Sequence, residues 1–358
     1  MKLIAFLLPQ FHRIPENDAW WGEGFTEWTN TRKARALYPK HHQPNEPLNE
    51  YYYDLTSSAA RLRQAELAKT YGIYGFCYYH YWFRGKRLLE TPIKQVMSSK
   101  EPDLPFCLSW ANESWTRRWD GGDQQILLKQ DYGTEQDWEQ HFDELLPAFQ
   151  DERYIRIDNK PLFILYRPEH IPCCAEMVRY WRNLAISCGL DGLYIVQTLG
   201  GFPTSPLDIF DASLEFEPHY TFAHGSMERL WSHTLVGDQQ HLMFDYDYVW
   251  DGMINRSHQR NGRKVFPGAF VKWDNTPRLG VRGLSCLGAS PEKFGWYLAK
   301  QIKRSIHLYH SEFLFINAWN EWAEGAYLEP DKRYGYQYLE AVKQALKSNG
   351  IPLDAPSE

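Results

Sequence analysis

The chain has 358 residues, enough for two domains or one large one, and 43% of them are hydrophobic, which excludes wholesale disorder. Thirty-nine Lys and Arg against 45 Asp and Glu leave a net charge of −6, which argues against a general nucleic-acid or anionic-membrane binder. Aromatic residues reach 16%, with 15 Trp and 23 Tyr; such polar-edged rings suit stacking on sugar faces as well as core packing.

The N-terminus, Met1-Lys-Leu-Ile-Ala-Phe-Leu-Leu-Pro9, is too short an apolar run for a signal peptide and reads as a first strand. No run approaches the length of a membrane span. The six cysteines form no Cys-x-x-Cys pair, and Cys77 and Cys107 lie inside apolar runs. Free thiols in a reducing, cytoplasmic setting are expected.

With that first run there are eight strand-like runs, at 3–8, 72–79, 105–110, 161–166, 192–198, 212–216, 265–273 and 313–319. Each is short and apolar on both faces, as in a parallel sheet covered by helices. Amphipathic stretches at 58–71, 135–149, 175–188, 291–308 and 335–347 fall between or after them. This alternation predicts an α/β fold, a (β/α)8 TIM barrel with long βα loops, as one domain over 1–358. A doubly wound open sheet is the alternative. Residues 9–57 form a large insertion rich in Trp, His and Pro.

Barrel enzymes carry their sites on the loops that follow the strands. Those positions hold Gln10 and His12; Tyr79, His80 and Trp82; Trp110, Asn112, Glu113 and Arg117; Tyr166; Glu217 and His219; Trp273; and Asn320, Glu321 and Glu324. Any one could be an ordinary loop residue, and their convergence on one barrel face is the signal. Glu321 and Glu324 are three apart on a strand-to-helix turn, so a helical turn would point both the same way. Glycoside cleavage needs two carboxylates flanking one bond, and their proximity should raise one pKa. By spacing alone a solvated capping pair fits better, because Glu-x-x-Glu is a common pattern.

The segment Asn320-Glu-Trp-Ala-Glu-Gly-Ala-Tyr-Leu-Glu-Pro330 resembles the Asn-Glu-Trp-His-Glu-Gly motif of glycoside hydrolase family 99, the endo-α-mannosidase family. The rest of the chain resembles the WbsX-like proteins of bacterial lipopolysaccharide and capsule loci. The matching residues are Phe6-Leu-Leu-Pro-Gln-Phe-His12, Trp20-Trp-Gly-Glu-Gly-Phe-Thr-Glu-Trp-Thr-Asn30, Tyr71-Gly-Ile-Tyr-Gly-Phe-Cys-Tyr-Tyr-His-Tyr-Trp82, and Trp110-Ala-Asn-Glu113 with Trp115-Thr-Arg-Arg-Trp119. The resemblance implies that Glu321 acts as a base on the sugar's own 2-hydroxyl. That hydroxyl would attack the anomeric carbon, giving an epoxide-like intermediate and net retention. Glu324 would be the acid and then the base. Ala323 departs from the family's His, which bears on the substrate more than on the reaction class.

Asn112-Glu113 is a second Asn-Glu pair, in a similar Trp-Ala-Asn-Glu setting. Glu113 could be the acid of a double displacement with Glu321 as nucleophile; the plainer reading pairs it with Arg117 or Arg118. Asp245-Tyr-Asp247 matches the Asp-x-Asp of many glycosyltransferases but lies in a helix-like stretch. No phosphate-gripping Gly-rich loop is present. His41-His42, His80 and His219 lack metal-ligand spacing. Trp20, Trp21, Trp28, Trp110, Trp115 and Trp119 could be stacking platforms or packing. The expected protein is a retaining, endo-acting glycosidase on a bacterial polysaccharide or O-antigen-type glycan. A glycosyltransferase and a non-catalytic glycan-binding barrel are the rivals. No metal or organic cofactor is implied, and oligomeric state is not legible.

Overall fold

The eight apolar runs become the staves of one parallel sheet. In the computed structural model, which describes residues 1–117, 122–224, 231–257 and 263–353, the barrel strands are β1 (Lys2–Leu7), β2 (Ile73–Phe83), β3 (Phe106–Trp110), β4 (Lys160–Leu165), β5 (Tyr194–Leu199), β6 (Ala212–Glu215), β7 (Lys264–Phe266), β8 (Gly268–Phe270) and β9 (Phe313–Asn317). Their order around the sheet is β7-β6-β5-β4-β3-β2-β1-β9-β8, and every neighbouring pair is parallel. This is a nearly closed TIM-like barrel, and the open-sheet alternative falls.

One expectation needs correction. The run 265–273 is two short strands and not one. Pro267 lies between them and has no N–H for a ladder, so the strand breaks there. Its first half pairs with β6 and its second with β9, so the break is also where the barrel closes. Gly268 follows because a Cβ there would lie 2.0 Å from the Glu215 carbonyl oxygen.

The staves are buried on both faces: Leu3, Ile4, Ala5, Leu162, Ile164 and Ile195 are each 0% exposed. Fully burying such a side chain contributes about 1.5–3 kcal/mol, so the double-sided apolar pattern is what drives this sheet inward. Inside the barrel the Phe6 ring contacts Tyr79, Phe216 and Phe315 at centroid distances of 5.5, 5.1 and 5.9 Å. That plug closes the barrel below its C-terminal mouth.

Short helices α1 (Pro15–Trp21) and α2 (Glu27–Lys33) lie in the 9–57 insertion. Around and beyond the barrel run α3 (Ser58–Tyr71), α4 (Thr91–Ser99), α5 (Glu135–Phe149), α6 (Cys174–Ser187), α7 (His219–His224), α8 (Tyr246–Asn255), α9 (Thr276–Leu279), α10 (Pro291–His307) and α11 (Gln337–Ser348). The start of α10 was written in the sequence: Ser290 Oγ accepts the Lys293 N–H at 3.3 Å, and Pro291 takes the first helical position. Its apolar stripe of Phe294, Leu298 and Ile302 is fully buried.

A three-stranded sheet of Trp231–Val236, Gln239–Asp245 and Leu284–Leu287 lies outside the barrel and was not anticipated. All six cysteines are free. No helix among the described residues is long and apolar enough to cross a membrane.

Candidate active site

The turn after β9 is built by its own side chains. Asn320 uses its amide as a piece of strand: Oδ1 accepts the Leu8 N–H at 2.7 Å and Nδ2 donates to the Leu8 carbonyl at 3.0 Å. The end of β9 is thereby stitched to the end of β1. Asn320–Glu321 then pairs antiparallel with Ala326–Tyr327 around a single turn, Trp322–Glu324. The Trp322 ring stacks on Tyr327 at 3.9 Å and donates Nε1–H to Glu329 at 2.7 Å. Gly325 closes the turn at φ +65, and a Cβ there would meet the Asp274 backbone nitrogen at 2.9 Å. The Asp274 N–H donates to the Glu324 carbonyl at 2.6 Å, which ties this turn to the loop after β8.

Above it opens a cavity of about 740 Å³ at the C-terminal mouth of the barrel. Glu321 and Glu324 both line it. Between them reaches Arg278 of α9, which sequence reading missed. Its Nη2 donates to Glu321 at 2.8 Å and to Glu27 of α2 at 2.6 Å, and its Nη1 donates to Glu324. Glu27 is 0% exposed and does not line the cavity. It also accepts the Ala323 N–H at 3.2 Å. Here Ala323, where the family motif has His, is a buried methyl whose backbone serves the turn.

Electrostatics follow from this crowding. Burial, and then the neighbouring Glu324, push the Glu321 carboxyl up to about 8 against the pull of Arg278. Burial also raises Glu324 and Glu27, in each case opposed by Arg278. Three carboxylates and one guanidinium would carry a net −2 if all were ionised. In a dry site the cheaper state keeps protons on the carboxyls.

Of the other sequence candidates, Gln10, Tyr79, Glu113, Tyr166, His219 and Trp273 line the same cavity. Trp21, Trp115, Tyr81 and Tyr132 join them. Burial pulls the His219 imidazole down to about 4, so it is neutral at pH 7. The Gln10 Nε2, Trp273 Nε1 and His219 Nδ1 atoms are buried without a partner among the described residues.

The remaining candidates do not line the cavity. Along β2 successive side chains alternate, so Tyr79 and Tyr81 face the cavity while His80 and Trp82 turn outward to α5. There His80 hydrogen-bonds His141 at 2.8 Å and Trp82 stacks on the same ring at 4.8 Å. Burial holds both imidazoles well below their ordinary value. Trp110 is core, with Nε1 on the Trp82 carbonyl. His12 bonds the Pro9 carbonyl at 2.9 Å. Trp28 donates to the Tyr53 carbonyl at 2.8 Å and packs between Phe11 and Trp322. Glu217 pairs with Arg256 at 2.8 Å and accepts from Thr221. Arg117 lies 5.7 Å from the Trp21 ring.

Asn112 repeats the device of Asn320. Its amide donates to the Arg167 carbonyl and accepts the Arg167 N–H, both at 2.7 Å, and so stitches β3 to β4. Glu113 pairs with Arg167, which replaces the expected Arg117 partner; Arg118 and Trp119 lie outside the described residues. Asp245 caps α8 through the Tyr248 N–H, and Asp247 pairs with Lys293 at 2.5 Å; neither lines the cavity. His41 pairs with Asp274 at 2.8 Å.

Comparison with known proteins places the chain. WxcX of Xanthomonas campestris pv. campestris (strain B100), an uncharacterized protein, is 40% identical over 351 residues, which cover 96% of this chain and 49% of that protein. Its counterpart in a second strain is 39% identical with the same coverage. The chain thus spans about half the length of the curated relatives it matches. The GH99 endo-alpha-mannosidase from Bacteroides thetaiotaomicron superposes with a TM-score of 0.58 at 12% identity, covering 97% of this chain and 96% of that one. A glycoside hydrolase-like protein gives 0.58 at 11% identity, covering 96% and 93%. At such identities the likeness is one of fold. A family model described as "Glycosyltransferase WbsX" matches residues 3–342, and so the chain belongs to the WbsX family.

Proposed function

We propose that this protein is a carbohydrate-active enzyme, a retaining glycoside hydrolase that cuts within a bacterial polysaccharide or O-antigen-type glycan. The observation that carries the reading is the Glu321–Glu324 pair, on one turn, lining an open aromatic-walled cavity. A coupled pair that holds a proton offers one acid and one base near neutral pH. In the working state the pair's proton sits on Glu324, and Glu321, ionised beside Arg278, takes the proton of the sugar's 2-hydroxyl as that oxygen bonds the anomeric carbon, so turnover rises as pH approaches about 8. Glu324 gives its proton to the departing glycosidic oxygen. Water then opens the epoxide-like intermediate, losing a proton to Glu324, and the 2-oxygen recovers its proton from Glu321. The unpartnered donors of Gln10 and Trp273 suit sugar hydroxyls.

The cavity charge also favours a neutral glycan over a sugar diphosphate. Among its described lining residues are three carboxylates, Glu113, Glu321 and Glu324, and one arginine already matched by carboxylates. The test is digestion of a panel of capsular and O-antigen polysaccharides, beside titration with nucleotide sugars with and without divalent metal. New reducing ends that disappear in Glu321→Gln and Glu324→Gln support the reading. Nucleotide-sugar binding with transfer and no hydrolysis would replace it by a glycosyltransferase. Glycan binding that survives both substitutions, with no turnover by the unaltered protein, would leave a non-catalytic binding barrel.

A further inference from the structure

Arg278 engages one oxygen of each cavity carboxyl: Oε2 of Glu321 and Oε1 of Glu324. The second oxygen of each has no protein hydrogen bond among the described residues, and both residues line the cavity. A guanidinium is a planar, rigid fork, so one group fixes both carboxyls relative to each other. Glu27 has no contact with the cavity and holds both ends of this device: its Oε1 accepts from Arg278 and from the Ala323 N–H in the turn between the two glutamates. Its Oε2 is buried with no hydrogen-bond partner among the described residues. Burying such a cluster gives little stability over an apolar one of the same shape. Its presence at the reacting pair calls for another reason.

We infer that Arg278, anchored by Glu27, is a positioning residue that aims one oxygen of Glu321 and one of Glu324 into the cavity and keeps the pair from filling with protons. This rests on the reading of the pair as acid and base. The other groups facing the cluster do not substitute for the arginine. Tyr79 and Tyr81 of β2 and Tyr166 beyond β4 are half-buried phenols held above their ordinary value, and His219 is a neutral imidazole. Asp274, beside Glu324 in space, turns its carboxylate to Gln43 and His41. The Arg278 cation is what favours the ionised carboxylates.

The experiment has two arms, run on the unaltered chain and on Arg278→Gln, Arg278→Lys and Glu27→Gln. The first needs no substrate: infrared titration of buried protonated carboxyls. Arg278→Gln should move that titration up by about one unit or more, because an opposite charge within a few ångström lowers a carboxyl by about 1–3 units. Arg278→Lys should retain most of the shift. The second arm is turnover on the glycan found above. Arg278→Lys should still lose about 10-fold or more in kcat with KM nearly unchanged, because geometry has gone while charge remains. Glu27→Gln should lose kcat in the same way while the acid limb of its pH profile moves. An Arg278→Gln titration superimposable on the unaltered one, or full kcat in Arg278→Lys, would overturn the inference. If no glycan is cleaved by the unaltered chain, the function proposed above falls while the infrared arm still decides how Arg278 acts on the pair's charge.

Discussion

Two Asn-Glu pairs stand at the barrel mouth and use the same parts. Asn112 and Asn320 each stitch a strand end to its neighbour through both backbone groups, and each delivers the next residue, Glu113 or Glu321, to the cavity. Each glutamate then meets an arginine, Arg167 or Arg278. They differ in water. The Glu113 side chain is 42% exposed, against 7% for Glu321 and 0% for Glu27. Solvent screens the first cluster and leaves it a loop tie. The second is drier, even at Glu324, whose side chain is 22% exposed, so the same charges act on one another at greater strength. On the proposed reading, burial more than residue type separates the glutamate given a catalytic role from the one given a structural role.

The largest effect should come from chemistry. Glu321→Gln and Glu324→Gln should each lower turnover by about 10²–10⁴-fold with glycan affinity nearly intact, while Glu113→Gln should cost much less, all by initial rates and calorimetric binding. A substrate with a very good leaving group should partly rescue Glu324→Gln and leave Glu321→Gln inactive. If instead Glu113→Gln is inactive and a 2-deoxy substrate is still cleaved with retention, the comparison inverts, and Glu113 and Glu321 run a double displacement.

Stability should sharpen the same contrast. Arg278→Met leaves buried carboxylates uncompensated and should cost about 3 kcal/mol in urea unfolding. Arg167→Met, in the wetter cluster, should cost about 1 kcal/mol or less.

The dependence on pH is a subtler effect. Folded Glu321 keeps its proton up to about 8, whereas the unfolded chain gives it up near 4.5. Its stabilising contribution is therefore complete below about 4.5 and is lost as pH rises through about 8. Glu215 and Glu329, each pushed up to about 7 by burial, act in the same direction. Melting temperature should fall between pH 5 and 9, and Glu321→Gln should flatten part of that fall. Smallest of all, Asp247→Asn should change turnover by less than about twofold, because its carboxylate serves Lys293 at the surface of α8.

The staves were legible because strands covered on both faces are apolar throughout, and little else in the chain is. The break at Pro267 was also written, in a residue that cannot donate to a ladder, but the apolar run on either side masked it. Two strands of the outer sheet, at 231–236 and 239–245, hid because neither is apolar enough to stand out. At the site, the carboxylates and most aromatics were readable from their place after strands. Facing was not: His80 and Tyr79 are neighbours on one strand, and strand parity alone sends them to opposite sides. Arg278 lies 43 residues before Glu321, and Glu27 lies 251 residues before Arg278, so no local pattern joins them. One signal was available for the arginine, in the loop after the seventh run, a few positions past Trp273.

The most direct test of the central claim is the anomeric configuration of the first product. A glycan cleaved by the unaltered chain should be followed by proton NMR from the earliest minutes. Catalysis by the Glu321–Glu324 pair predicts a new reducing end of the same configuration as the bond cut, mutarotating only afterwards, and no such signal with Glu321→Gln or Glu324→Gln. A product of inverted configuration, or a signal undiminished in either variant, would contradict it.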